Sequence, residues 1–114
     1  MVAISWVREV GESFSLCVTD TEAAAENEAN VVAKIALLTP GKWVLASDAV
    51  ASLTLTTTYR EATVDVDKGW YFSALSDDTA ELAPGFYQMD ILDTTAGVPV
   101  KAGPFYLRMR KAAV

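Results

Sequence analysis

The stretch from Glu81 to Ile91, ELAPGFYQMDI, sets Leu82, Pro84, Gly85 and Tyr87 at a fixed spacing just ahead of an apolar run. Pro84 fixes one backbone torsion, and Gly85 accepts torsions that other residues resist, so the pair turns the chain sharply. The spacing then predicts that Tyr87 lies back over the turn. Its ring fills the edge of a core and its hydroxyl bonds to backbone upstream, while Phe86 faces outward.

Period-two alternation extends this reading along the chain. Phe14, Leu16 and Val18 alternate with Ser13, Ser15 and Cys17; Trp70, Phe72 and Ala74 alternate with Tyr71, Ser73 and Leu75. Phe105, Leu107 and Met109 are expected inward and Tyr106, Arg108 and Arg110 outward. The run VASLTLTTTY reads as one strand, with Leu53, Leu55 and Thr57 on one face. Such alternation, broken at Gly11, Pro40-Gly41, Lys68-Gly69, Pro84-Gly85, Ala96-Gly97 and Gly103-Pro104, is that of an antiparallel sheet protein. Asp20 to Asn30 reads as an acidic loop or short helical turn, and Val31 to Leu37 as a strand. SDDTAEL fits a single helical turn with Ser76 as its N-cap and acids in the first turn.

The 114 residues make one domain, 1–114, long enough to bury a core unaided. Hydrophobic residues make up 52% of the chain and mean hydropathy is +0.24. Either the core is full or some apolar surface is covered by a partner. No apolar run approaches the ~20 residues of a membrane helix, and MVAISWVREVGESF lacks the pattern of a secretion signal, so no membrane is expected. A net charge of −6 argues against nucleic acid as a partner, because that binding is built from cations. Cys17 is the lone cysteine and there is no histidine. These counts exclude internal disulfides, cysteine-rich zinc sites and Ser-His-Asp chemistry. Cys17, lacking an imidazole partner, reads as a packed thiol and not a nucleophile. The expectation is a protein that is not an enzyme and carries no cofactor.

The spacing Leu82-x-Pro84-Gly85-x-Tyr87 matches the tyrosine corner of Greek-key β-sandwiches, so the expected fold is all-β, an immunoglobulin-like Greek-key sandwich. In antibody domains a bridging cysteine lies two residues beyond that tyrosine. Met89 holds the position here, and the register of SFSLCVT turns Cys17 away from it. Beyond the corner, DKGWYFSALSDDTAELAPGFYQMDILDTTAGVPVKAGPFYLRM resembles the immunoglobulin-like domains of tailed-bacteriophage and prophage structural proteins, including the N-terminal domains of baseplate upper proteins. EVGESFSLCVTDTE is similar to that family's opening strand and turn, whereas residues 23–57 depart from the pattern. The resemblance implies a non-enzymatic virion component made in the host cytoplasm: a head decoration, or a tail, neck or baseplate accessory. Its partners would be other virion proteins and copies of itself. It assigns no functional site, since Leu82, Pro84, Gly85 and Tyr87 build the corner.

Asp65 with Asp67, Asp77 with Asp78, and Asp90 with Asp93 invite a calcium reading, but none of these spacings is a calcium loop. Paired carboxylates could in principle run glycoside hydrolysis, but nothing else in the sequence suggests a substrate cleft. Trp6, Trp43, Trp70, Tyr71, Phe72, Phe86 and Tyr106 outnumber what one inward face needs. They point to an assembly interface, with Tyr71, Phe86, Tyr106, Arg108, Arg110 and Lys111 as its candidates. The alternative is a platform binding glycan or another host-surface group. Arg108, Arg110 and Lys111 either blunt an exposed edge or meet the acidic segment Glu22 to Glu28 of a neighbouring copy.

Overall fold

A computed structural model of the chain describes residues 3–39, 52–95, 97 and 100–111. Among these, eight strands form two sheets. They are β1 (Trp6–Glu9), β2 (Phe14–Thr19), β3 (Val31–Leu37), β4 (Ser52–Thr54), β5 (Thr56–Arg60), β6 (Gly69–Ala74), β7 (Gly85–Asp93) and β8 (Val100–Arg110). One sheet runs β1-β8-β7-β3-β4 and the other β2-β6-β5. All neighbours pair antiparallel except β1, which runs parallel to β8. The fold is all-β.

Alternation decides which side chains enter the core. Phe14 and Leu16 of β2 and Trp70, Phe72 and Ala74 of β6 are buried, whereas Ser15, Cys17 and Tyr71 are exposed. The facing sheet contributes Val31, Ala33 and Ile35 from β3, Tyr87, Met89 and Ile91 from β7, and Leu107 and Met109 from β8. These inner faces meet in one apolar cluster. Each large side chain so buried contributes about 1.5–3 kcal/mol, and together they outweigh any other interaction in the molecule. Val18 and Phe105, both expected inside, are only partly buried against the cluster's rim.

The turn before β7 is built as its residues require. Leu82 is buried, Gly85 adopts a φ of +152° where a side chain would be strained, and Tyr87 is wholly enclosed. The Tyr87 hydroxyl donates to the Ala83 carbonyl at 2.7 Å, four residues upstream. Phe86 projects outward on the other face of β7. Val31–Leu37 is a strand as expected, and the acidic segment ends in a 3-10 turn over Ala25–Asn30.

Three expectations need correction. The run around Leu53 is not one strand. β4 belongs to the larger sheet and β5 to the smaller, and the chain crosses at Leu55, whose amide donates to the Ala33 carbonyl. Alternation persists through the crossing because both halves turn a face to the same core. Ser76 is not a helix cap. The chain leaves β6 extended through Leu75, which occupies the cap position without a side-chain bond, and the helical turn covers Ser76–Thr79. Buried Thr79 instead fastens this turn, donating its hydroxyl to the Glu12 carbonyl at 2.8 Å. Cys17 is not a packed thiol either: it lies exposed on the outer face of β2, opposite Tyr71. It does turn away from Met89, which is buried against Ile35. Trp43 and the Pro40-Gly41 turn lie outside the described residues.

Removing the buried hydroxyl with Tyr87→Phe is expected to lower unfolding free energy in urea by about 1 kcal/mol at neutral pH. Burial also holds the Tyr87 phenol above its ordinary pKa of 10.0, against the smaller opposite pull of the Ala83 bond. The folded state therefore keeps its proton to higher pH than the unfolded chain does. The associated stability is intact below pH 10.0 and lost as pH climbs through the folded value. The gap between the wild-type protein and Tyr87→Phe should narrow over that alkaline range; a constant gap would contradict the assignment. Gly69 tests the packing between strands, since a Cβ there would overlap the Val18 carbonyl oxygen. Gly69→Ala is expected to cost about 1–3 kcal/mol or to prevent folding, measured by the same denaturation.

Candidate interaction surfaces

The two sheets share one core, so their outer faces look in opposite directions, and this divides the candidate aromatics. Phe86, Tyr106, Arg108 and Arg110 project from the outer face of the five-stranded sheet, with Lys111 exposed just beyond β8. Tyr71 stands on the outer face of the three-stranded sheet. Trp70 and Phe72, counted among the surplus aromatics, are core residues, and Trp6 packs on the core's rim against Phe105 with ring centroids 5.8 Å apart.

On the larger sheet the pairing register aligns Val7, Arg108 and Phe86 in one row across β1, β8 and β7. Val7 is 44% and Phe86 38% exposed, and the Arg108 guanidinium lies 5.8 Å from the Phe86 ring centroid. A cation over a ring keeps an apolar surface soluble while leaving it able to be covered. Arg110 is engaged within the chain, bonding Glu9 at 3.0 Å. At the far end, the Glu28 carboxylate accepts the Tyr59 amide at 2.7 Å, on the side of β5 away from β6. An acid so placed closes the free edge of a sheet to pairing with other strands. The basic and acidic segments thus lie at opposite ends: β8 pairs Val100 with Asp93, close to Val31, whereas its Met109 meets Gly85.

On the smaller sheet Tyr71 sits between Cys17 and Thr58. The neighbouring Arg60 guanidinium lies 5.8 Å from its ring centroid. Arg60 is a functional-looking residue that alternation hides: it occupies an outer position of β5, yet only 8% of it is exposed. Its side chain reaches the Thr19 hydroxyl and the Asp67 carbonyl, both at 3.0 Å, and its Nε has no partner among the described residues. The guanidinium thereby holds the loop at residues 61–68, where a Thr63–Val66 turn presents Val64 fully to solvent.

A cleft of about 330 Å³ opens between the sheets at the acidic end. Val18, Val31, Ile91 and Phe105 form its walls, Trp70 lies at its back, and Asp20, Glu22 and Asp93 stand around it. Asp20 is fixed by accepting the Trp70 indole N–H at 3.1 Å and the Glu22 amide at 3.0 Å. Asp93 accepts the Thr95 amide at 2.8 Å. Asp90, on the other face of β7, is engaged instead by Gln88, so Asp90 and Asp93 do not converge. Among the described residues no group of three or more acids, cysteines or histidines is arranged to hold a metal ion.

No protein-family model, no curated protein and no solved structure matches the chain.

The Arg110–Glu9 pair is solvent-exposed, so it contributes little to stability. Arg110→Ala is expected to change unfolding free energy by less than about 1 kcal/mol. A larger loss would mean that β1 depends on this contact to stay beside β8.

Proposed function

We propose that the chain is an immunoglobulin-like Greek-key β-sandwich with a tyrosine corner, and that it serves as a non-enzymatic structural component of a tailed-phage particle. The fold reading is supported by the sheet orders β1-β8-β7-β3-β4 and β2-β6-β5 and by the Tyr87–Ala83 bond at the turn. The resemblance of the segment from Asp67 to Met109 to phage immunoglobulin-like domains supports the setting. Action by assembly rests on one observation. The core is complete without Val7 and Phe86, which remain exposed in a single row bridged by Arg108.

In this role the outer face of the larger sheet packs against a neighbouring virion protein or a second copy. Phe86 supplies an apolar centre, and Arg108, Arg110, Lys111 and Tyr106 form the surround. A specific interface of this kind buries ~800 Å² on each partner. Tyr71, on the opposite sheet and partly covered by Arg60, would belong to a separate contact. That cover also counts against Tyr71 as a platform for sugar rings.

Mass spectrometry of purified particles of the phage encoding the chain is the direct test; absence from the particle refutes the reading. Phe86→Ala should reduce incorporation at any salt concentration, because it removes buried apolar area. Arg108→Glu should reduce it most at low salt, because rim charges steer and orient partners. Both variants should stay folded, losing about 0.5–1 kcal/mol with the Arg108–Phe86 contact.

A further inference from the structure

The cleft at the acidic end combines two features that call for one kind of occupant. Its walls, Val18, Val31, Ile91 and Phe105, are apolar, and its volume of about 330 Å³ is at the small end for ligand pockets. Around it stand three carboxylates. Asp20 and Asp93 are held in place by amide and indole N–H donors, while the Glu22 side chain has no partner among the described residues. Among those residues no cation pairs with any of the three. Hydrogen bonds from N–H groups orient these acids without neutralising them. The nearest described guanidinium, Arg60, bonds the Thr19 hydroxyl on the cleft wall and leaves these carboxylates unpaired. An apolar slot bordered by unpaired carboxylates complements an aliphatic stem that ends in a positive charge.

The surface around the slot identifies the source of that stem. The Asp20 amide bonds the Lys68 carbonyl, which brings the loop carrying Asp65 and Asp67 alongside, and Glu28 at β5 adds to the same end. Acids spread this far beyond the slot attract any cation, but only a chain with several basic residues can contact them together. Charges within a Debye length of about 8 Å still attract at physiological salt.

We propose that this cleft seats a lysine side chain from a basic segment of a partner protein. The methylenes lie between Val18, Val31, Ile91 and Phe105. The ammonium lies among Asp20, Glu22 and Asp93, and Asp65 and Asp67 meet basic neighbours in the same segment. A compact ammonium with rotatable donors suits separate carboxylates that do not converge on one point better than a planar guanidinium does. This site is independent of the assembly face, because Phe86 and Arg108 lie on an outer face and toward the opposite end of β7 and β8.

Trp70 provides the readout, since its indole N–H is bonded to Asp20 beside the slot. The probes are an acetylated, amidated Gly-Lys-Lys-Lys-Gly peptide, its norleucine counterpart and ethylammonium chloride. Each is titrated into the 15N-labelled full chain to about 10 mM, a range suited to single-side-chain affinities. The Trp70 indole resonance should move saturably with the lysine peptide, and less so as salt is added. Norleucine, which keeps the stem without the charge, should leave it in place. Ethylammonium, which keeps the charge with a short stem, should bind about tenfold more weakly.

Glu22→Gln removes a carboxylate that holds nothing else in the described structure, so it leaves the fold intact. It should weaken the lysine peptide by about two- to fivefold. A Trp70 resonance that does not move, that moves equally with norleucine, or that responds identically in Glu22→Gln overturns the proposal.

Discussion

A buried phenol needs an acceptor for its proton, and the arrangement around Tyr87 follows from that requirement. The ring is wholly enclosed at the start of β7, the strand between β8 and β3, so its hydroxyl has no access to water. An unsatisfied hydroxyl there would cost about 1–3 kcal/mol. The Ala83 carbonyl removes that penalty only if the chain doubles back within four residues. Pro84 and Gly85 make the reversal possible, and Leu82 anchors its near side in the core. With Tyr87 fixed, alternation places Met89 and Ile91 inward, and the pairing registers of β3 and β8 carry that choice across the sheet.

Much of this was legible because it follows from local rules. Alternation identified the inner residues of β2, β6 and β8, and the Leu82–Tyr87 spacing located the turn and the buried ring. What alternation cannot report is which sheet a strand joins. Leu53 and Leu55 both turn toward one core, so nothing in the run marks Leu55 as a crossing between layers. Ser76 misled for a related reason: a good capping side chain was one residue too late, because the chain stays extended through Leu75. The candidate interface residues were correctly assigned to outer faces. That they occupy two opposite faces depended on strand order, which pairs positions far apart in the chain.

The cleft and the buried arginine escaped the sequence reading for the same reason. Asp20, Glu22 and Asp93 appear as ordinary loop acids until β2, β3 and β7 bring them to one end. Arg60 occupies an outward position by every pattern, yet its guanidinium turns back across the strand of Gly69, which pairs with both residues, to the Thr19 hydroxyl. Patterns that score residues singly do not register such a contact.

The parallel pairing of β1 with β8 constrains the order in which the molecule can be assembled. Glu9 and Arg110 are 101 positions apart, and strand partners such as Trp6 and Leu107 are equally distant. Loop-closure entropy rises only slowly with such separations, but contacts of this span tend to form late. On a ribosome, β1 emerges first of the eight strands and finds its neighbour last. Until then Trp6 has neither the Phe105 ring nor the edge of β8 to pack against. The nascent protein must therefore keep Trp6 and Val7 without a strand partner until β8, 101 positions further on, has been made.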